Sequence, residues 1–213
     1  MPPHEGSVTI TPSEVGSSPG PPRRGTARSR GAMTWLLARV GWRVTGEFPT
    51  APKAVLILAP HTSNWDFFVC MPAMFAAGLR ITWIAKHTLF FFPAAPILRW
   101  LGGEPINRRV RSDTVQHAVE RFTAHDRFYL GIAPEGTRRR VAEWKSGFWH
   151  IARGAGVPII PVALDYATRE VRLTPAFVPG DDEAADLAAI RGRYACAMAR
   201  HPEKFAESGR ATP

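Results

Sequence analysis

Cysteine is nearly absent from this sequence: Cys70 and Cys196 stand far apart and form no C-x-x-C pair. A disulfide framework and a structural zinc site are excluded as organising devices. Each thiol lies in an apolar helical stretch and reads as buried. Long apolar runs are lacking too. The longest, 67–79 and 89–98, contain proline and fall short of the ~18–20 residues that a spanning helix needs. No secretory signal is visible, the N-terminal stretch being polar and rich in Pro, Gly, Ser and Arg. Acidic residues are few, 18 against 27 Lys and Arg, which leaves a net charge of +9. Such a surface attracts something anionic: a nucleic acid, an anionic membrane face or a phosphate-bearing ligand. Charge alone does not choose among the three.

What is present is the composition of one folded domain. Hydrophobic residues make up 45% and charged residues 21% of 213, enough for a substantial core. Residues 1–31 read as a disordered basic leader carrying Arg23, Arg24, Arg28 and Arg30. Residues 32–205 read as the domain and 206–213 as a flexible tail. Four short apolar runs predict strands over 53–59, 80–85, 128–133 and 157–164. Pro158 and Pro161 sit awkwardly in the last, because proline suits edges and bulges. Between the strands, Val115, Ala118, Val119 and Phe122 recur at helical spacing after Ser112. Phe148, Ile151, Ala152 and Ala155 do so before Gly156. A last helix capped by Asp181 carries Leu187, Ile190, Tyr194 and Ala197 on one stripe. Alternating strands and helices predict a single-domain α/β fold, a mostly parallel central sheet flanked by helices.

The chemistry concentrates in Pro60-His61-Thr62-Ser63-Asn64-Trp65-Asp66. The first predicted strand ends at Ala59 and a helix begins near Ser63, so His61 falls at a strand's carboxyl end, where ligands gather in sheets of this kind. Asp66, in the first helical turn, can turn back to the imidazole. A carboxylate on one ring nitrogen fixes the tautomer and leaves the other free to take a proton from a hydroxyl. Ser63-x-x-Asp66 equally matches a capping box, a purely structural device, and the spacing alone does not separate the two readings.

Three further blocks follow in order: Gly102-Gly103-Glu104-Pro105-Ile106-Asn107-Arg108, Ala133-Pro134-Glu135-Gly136-Thr137-Arg138 and Val157-Pro158-Ile159-Ile160-Pro161-Val162. With His61-x4-Asp66 this series resembles the glycerolphosphate/lysophosphatidate acyltransferases, the PlsC-like family, over about 54–166. The Pro-Glu-Gly-Thr-Arg block is its most specific piece. The resemblance implies one-step acyl transfer with no covalent intermediate, no metal and no resident cofactor. The donor would be acyl-CoA or acyl carrier protein, and the acceptor a lysophospholipid such as 1-acyl-glycerol 3-phosphate. His61, paired with Asp66, is the implied general base. Arg108 resembles the family's phosphate-binding arginine, and Glu135, Gly136, Thr137 and Arg138 match its acceptor-binding block. A phosphate suits a planar bidentate donor, and Gly136 allows close backbone approach. Departures touch the acceptor side: Pro60 stands where many members have asparagine, and Asn107 replaces a common aspartate.

Arg108, Arg109 and Arg111 form one basic cluster and Arg138, Arg139 and Arg140 another. The stretch 89–101 is apolar and aromatic with one arginine, a composition that fits either a core or a membrane interface. Trp65, Trp83, Trp144 and Trp149 read as acyl-channel lining or as ordinary core. The expectation is a cytoplasmic enzyme lying peripherally on an anionic membrane face, with no nucleic-acid partner. Two alternatives remain: an enzyme for another lyso-lipid, of lyso-ornithine type, and a basic nucleic-acid-binding module. No zinc-finger or RRM-like signature supports the latter.

Overall fold

The computed structural model describes residues 19–106 and 111–205. Its elements run α1 (Ala27–Arg39), β1 (Arg43–Gly46), β2 (Lys53–Ala59), α2 (Trp65–Ala76), β3 (Thr82–Lys86), α3 (Ala94–Trp100), β4 (Gly103–Ile106), α4 (Arg111–Ala124), β5 (Phe128–Ile132), α5 (Gly147–Ala155), β6 (Ile159–Asp165), β7 (Glu170–Leu173) and α6 (Glu183–Arg191), with short 3-10 turns at His87–Leu89, Cys196–Met198 and Pro202–Lys204. The strands form one seven-stranded sheet in the order β1-β7-β6-β2-β5-β3-β4. From β6 to β4 all pairings are parallel. β7 turns antiparallel against β6, and β1 lies parallel to β7.

Strand β2 shows why the sheet is central. Val55, Ile57 and Ala59 enter one core with Phe122, Phe128, Leu130, Phe148, Trp149, Ile151 and Ile190. Ala54 and Leu56 enter another with Leu37, Ala73, Leu79, Tyr129, Ile160 and Leu164. Helices α4, α5 and α6 cover the first face, α1 and α2 the second. A strand buried on both faces needs apolar side chains on both, hence the near-continuous run Ala-Val-Leu-Ile-Leu-Ala. Each such fully buried aliphatic side chain contributes roughly 1.5–3 kcal/mol. The predicted α/β class and the first strand's limits match the structure.

Proline in β6 has a clear resolution. The Ile159 N–H donates to Phe177 O, on the side away from β2, so the Pro161 nitrogen two residues on faces that side as well. There the ladder with β7 ends at the Val162–Leu173 pair and resumes only as an isolated bridge between Ile159 and Phe177. No ladder donor is required of Pro161.

Two expectations need correction. The disordered leader does not extend to residue 31, because α1 starts at Ala27 with a complete Thr26/Ser29 capping box. The Arg24 guanidinium stacks 4.3 Å from the Phe75 ring and 4.6 Å from the Trp100 ring and donates to Trp100 O. Aromatic partners that are distant in sequence turned an apparently solvated arginine into an anchor. The last helix is also shorter than its stripe suggested. It ends at Arg191 with Asp182, not Asp181, as its cap, and Tyr194 is buried beyond it. Residues 1–18 and the predicted tail lie outside the described residues.

Candidate active site

His61 follows β2, Glu135 follows β5 and Tyr166 follows β6, at the carboxyl ends of three adjacent parallel strands. The loop 61–63 is pinned from three directions. The His61 N–H donates to Glu135 Oε1 at 2.8 Å, the Ser63 N–H donates to Asp66 Oδ2 at 2.9 Å, and Thr62 Oγ1 accepts from the His201 N–H at 3.3 Å. Thr62, Ser63, Asp66 and Glu135 are all buried.

His61 Nδ1 lies 3.0 Å from Asp66 Oδ2, and the His61 side chain is 20% exposed while that of Asp66 is wholly buried. The oxygen is off the line of the ring N–H, so the pair is close without being an aligned hydrogen bond. With Nδ1 turned to the carboxylate, Nε2 is the nitrogen left for an incoming hydroxyl. Asp66 Oδ1 accepts a further hydrogen bond, from the Tyr166 hydroxyl at 2.8 Å. The geometry of a helix cap is present as well. Helix α2 starts at Trp65, its Asn64 cap makes no side-chain bond, and Asp66 reaches back to Ser63 as the acid of a capping box does.

Glu135, which the resemblance assigns to the acceptor, is 2% exposed and spends one oxygen on the His61 backbone. Burial pushes its carboxyl above the usual range, and the bond from the His61 N–H offsets only part of this. Gly136 takes φ +65 and donates its N–H to Ala133 O at 3.0 Å, closing the turn after β5. A side chain there would press on Lys145 at 3.0 Å. Thr137 Oγ1 accepts from the Arg139 N–H at 3.4 Å, and Arg138, Arg139 and Arg140 stand exposed on the rim. Arg108 lies outside the described residues.

The tryptophans divide. Trp144 and Trp149 belong to the core, and Trp149 donates to Asp186 at 2.8 Å. Trp65 is exposed beside the pair, and Trp83 is half-buried against Phe67 and Phe90. Sequence reasoning missed Tyr166 and Arg200, whose guanidinium lies over both Trp65 and Tyr166. Nothing local marks either residue, since they meet the site only through the fold.

Comparison with known proteins agrees with this geometry. The chain is 31% identical to the 1-acyl-sn-glycerol-3-phosphate acyltransferase of Salmonella typhimurium over 124 residues, 55% of this chain and 49% of the relative. It is 30% identical to the enzyme of that name from Escherichia coli over 143 residues, 62% of this chain and 57% of the relative. The chain thus spans about half the length of the curated relatives it matches. In fold it resembles the crystal structure of the 1-acyl-sn-glycerophosphate (LPA) acyltransferase PlsC from Thermotoga maritima, with a TM-score of 0.54 at 21% identity over 76% of this chain and 73% of that one. A family model described as "Acyltransferase" matches residues 42–165, more than half of the sequence and every strand from β2 to β6. By that match this chain belongs to the acyltransferase family.

Proposed function

We propose that this protein transfers a fatty acyl group from a thioester, acyl-CoA or acyl carrier protein, to the free hydroxyl of a lysophospholipid of the 1-acyl-glycerol 3-phosphate type. The observation that carries the reading is the buried Asp66 carboxylate 3.0 Å from His61 Nδ1 at the carboxyl end of β2. His61 Nε2 takes the proton of the acceptor hydroxyl while Asp66 stabilises the imidazolium. The oxygen attacks the thioester carbonyl. Collapse of the tetrahedral intermediate forms the ester and expels the thiolate, which recovers the proton from His61. The chemistry calls for no metal and no resident cofactor.

Recognition falls to the rim. Arg138 on the loop after β5, and Arg108 beyond β4, would hold the acceptor phosphate, a task for which a guanidinium fork is suited. The surface beside the site supports peripheral contact with an anionic membrane. Phe68, Phe91, Phe92, Ile97 and Trp100 are exposed, Arg99 shares α3 with Ile97 and Trp100, and Arg24 lies over the Trp100 ring, a mixture of aromatic and cationic groups that suits a lipid interface. No helix among the described residues is long and apolar enough to cross a membrane.

The test is turnover of labelled palmitoyl-CoA, and of acyl carrier protein, with a panel of lyso-lipids that includes a lyso-ornithine lipid. The expected result is ester formation with lysophosphatidate that vanishes in His61→Ala. Full turnover by that variant would discard the mechanism, and product only with the lyso-ornithine acceptor would replace the substrate.

A further inference from the structure

We propose that Tyr166 is a positioning residue for the Asp66–His61 pair, and that the segment beyond the family match acts on the chemistry through it. The inference rests on the general-base reading above. Tyr166 lies one residue past the matched range 42–165, and Arg200 and His201 lie well past it.

Asp66 is a wholly buried carboxylate. An ion in such a place is tolerated only when its oxygens are hydrogen-bonded. Oδ2 serves the Ser63 N–H and faces His61 Nδ1, and Oδ1 takes the Tyr166 hydroxyl at 2.8 Å. An O–H donated to an anion is among the stronger hydrogen bonds. It also fixes the rotation of the carboxylate about its Cβ–Cγ bond, and so the direction Oδ2 presents to the imidazole. Tyr166 is itself held. Trp42 packs against it edge-to-face, with ring centroids 4.9 Å apart at 87°. The Arg200 guanidinium carbon lies 5.8 Å from its ring and 5.2 Å from that of Trp65. Burial, and the bond to Asp66, push the phenol well above its ordinary range. The hydroxyl therefore keeps its proton and remains a donor. The neighbouring residue His201 ties its N–H to Thr62 Oγ1. The C-terminal segment thus braces both the loop before Asp66 and the oxygen behind it.

The groups that bear on Asp66 are His61, Glu135, Cys70 and Tyr166, with Arg200 behind the phenol. Removing the phenol hydroxyl frees the carboxylate to rotate, which lowers kcat and leaves substrate affinity alone. A residue that merely fills space would not separate kcat from KM.

The experiment uses the full chain and compares wild type, Tyr166→Phe, Asp66→Asn, the double variant and His61→Ala, with melting curves in parallel. Tyr166→Phe keeps the ring and its packing on Trp42. The expected result is a kcat about tenfold lower, the scale of one lost hydrogen bond to a charged group, with both KM values within about twofold. In the Asp66→Asn background the same change should cost nothing further, because both act through one carboxylate. Should Tyr166→Phe fail to fold, Arg200→Met at the surface carries the test with a drop of about threefold. Unchanged kcat in Tyr166→Phe, or losses that multiply in the double variant, would overturn the proposal while His61→Ala remained inactive. Transfer that survives His61→Ala would instead sink the general-base reading, and this one with it.

Discussion

Asp66 is shut away from solvent and answers to neighbours from two segments, the loop after β2 and the chain after β6, whereas Arg138, Arg139 and Arg140 stand in the open on the loop after β5. Both regions belong to one candidate site, and they hold their side chains by opposite means. At the corner behind β2, position is set by buried hydrogen bonds that leave Asp66 no other place to go. At the rim, position is left to long flexible side chains that stand in solvent. Proton transfer tolerates little misplacement, while an arginine that must find a lipid phosphate gains from freedom of approach. On the function proposed above, the difference assigns the reaction to the scaffold and the acceptor choice to the surface.

That contrast can be broken in four places. Asp66→Asn should cut kcat by two to four orders of magnitude, on the order of what misorienting a catalytic imidazole costs. It should also lower stability by about 1 kcal/mol through the Ser63 cap, and loss of stability with kcat intact would reduce Asp66 to a cap. Glu135→Ala strands the buried His61 N–H, a penalty of about 1–3 kcal/mol, and should lower kcat roughly tenfold or more with acceptor KM little changed. Glu135→Gln keeps an acceptor. It should restore most activity and hold or raise stability at neutral pH, since a carboxyl pushed up by burial costs stability wherever it is ionised. A rise confined to acceptor KM in both variants would return Glu135 to the acceptor site. Arg138→Ala should raise acceptor KM about three- to tenfold without touching kcat or the melting temperature, and steady-state kinetics with lysophosphatidate reads this directly. Smallest is the double change Phe91→Ser with Phe92→Ser. It should weaken sedimentation with anionic vesicles roughly severalfold and leave turnover of detergent-dispersed acceptor untouched. Unaltered vesicle binding would remove that face from the membrane.

The same division explains what could be read in the sequence. Strand β2 and the limits of β5 within one residue followed from apolar runs, because burial on both faces leaves a strong local signal. Strands β1, β4 and β7 were missed. Arg-Val-Thr-Gly, Gly-Glu-Pro-Ile and Glu-Val-Arg-Leu are too short and too mixed for any period to show. The His61–Asp66 pairing was legible because both members lie within one turn of chain. The Tyr166 hydroxyl was not, because its bond to Asp66 spans 100 residues. Glu135 was found by its motif, but its bond to the His61 N–H was not, since motif spacing carries no information on which way a side chain turns. Arg24 failed likewise, its stacking on Phe75 and Trp100 being invisible until the fold brings them together.

The strand order has a consequence for how the protein is made. Both neighbours of β2 come late, β5 from Phe128 and β6 from Ile159, and β1 waits for β7. At about 5–20 residues per second, synthesis leaves the apolar segment 53–59 for several seconds or more without a strand beside it. A sheet assembled from such distant pieces also folds slowly once complete. During that interval the nascent chain presents a sticky, edge-exposed ribbon to whatever the ribosome's surroundings offer. Soluble yield in a host cell should therefore respond to growth temperature and chaperone supply more than to changes on the finished surface.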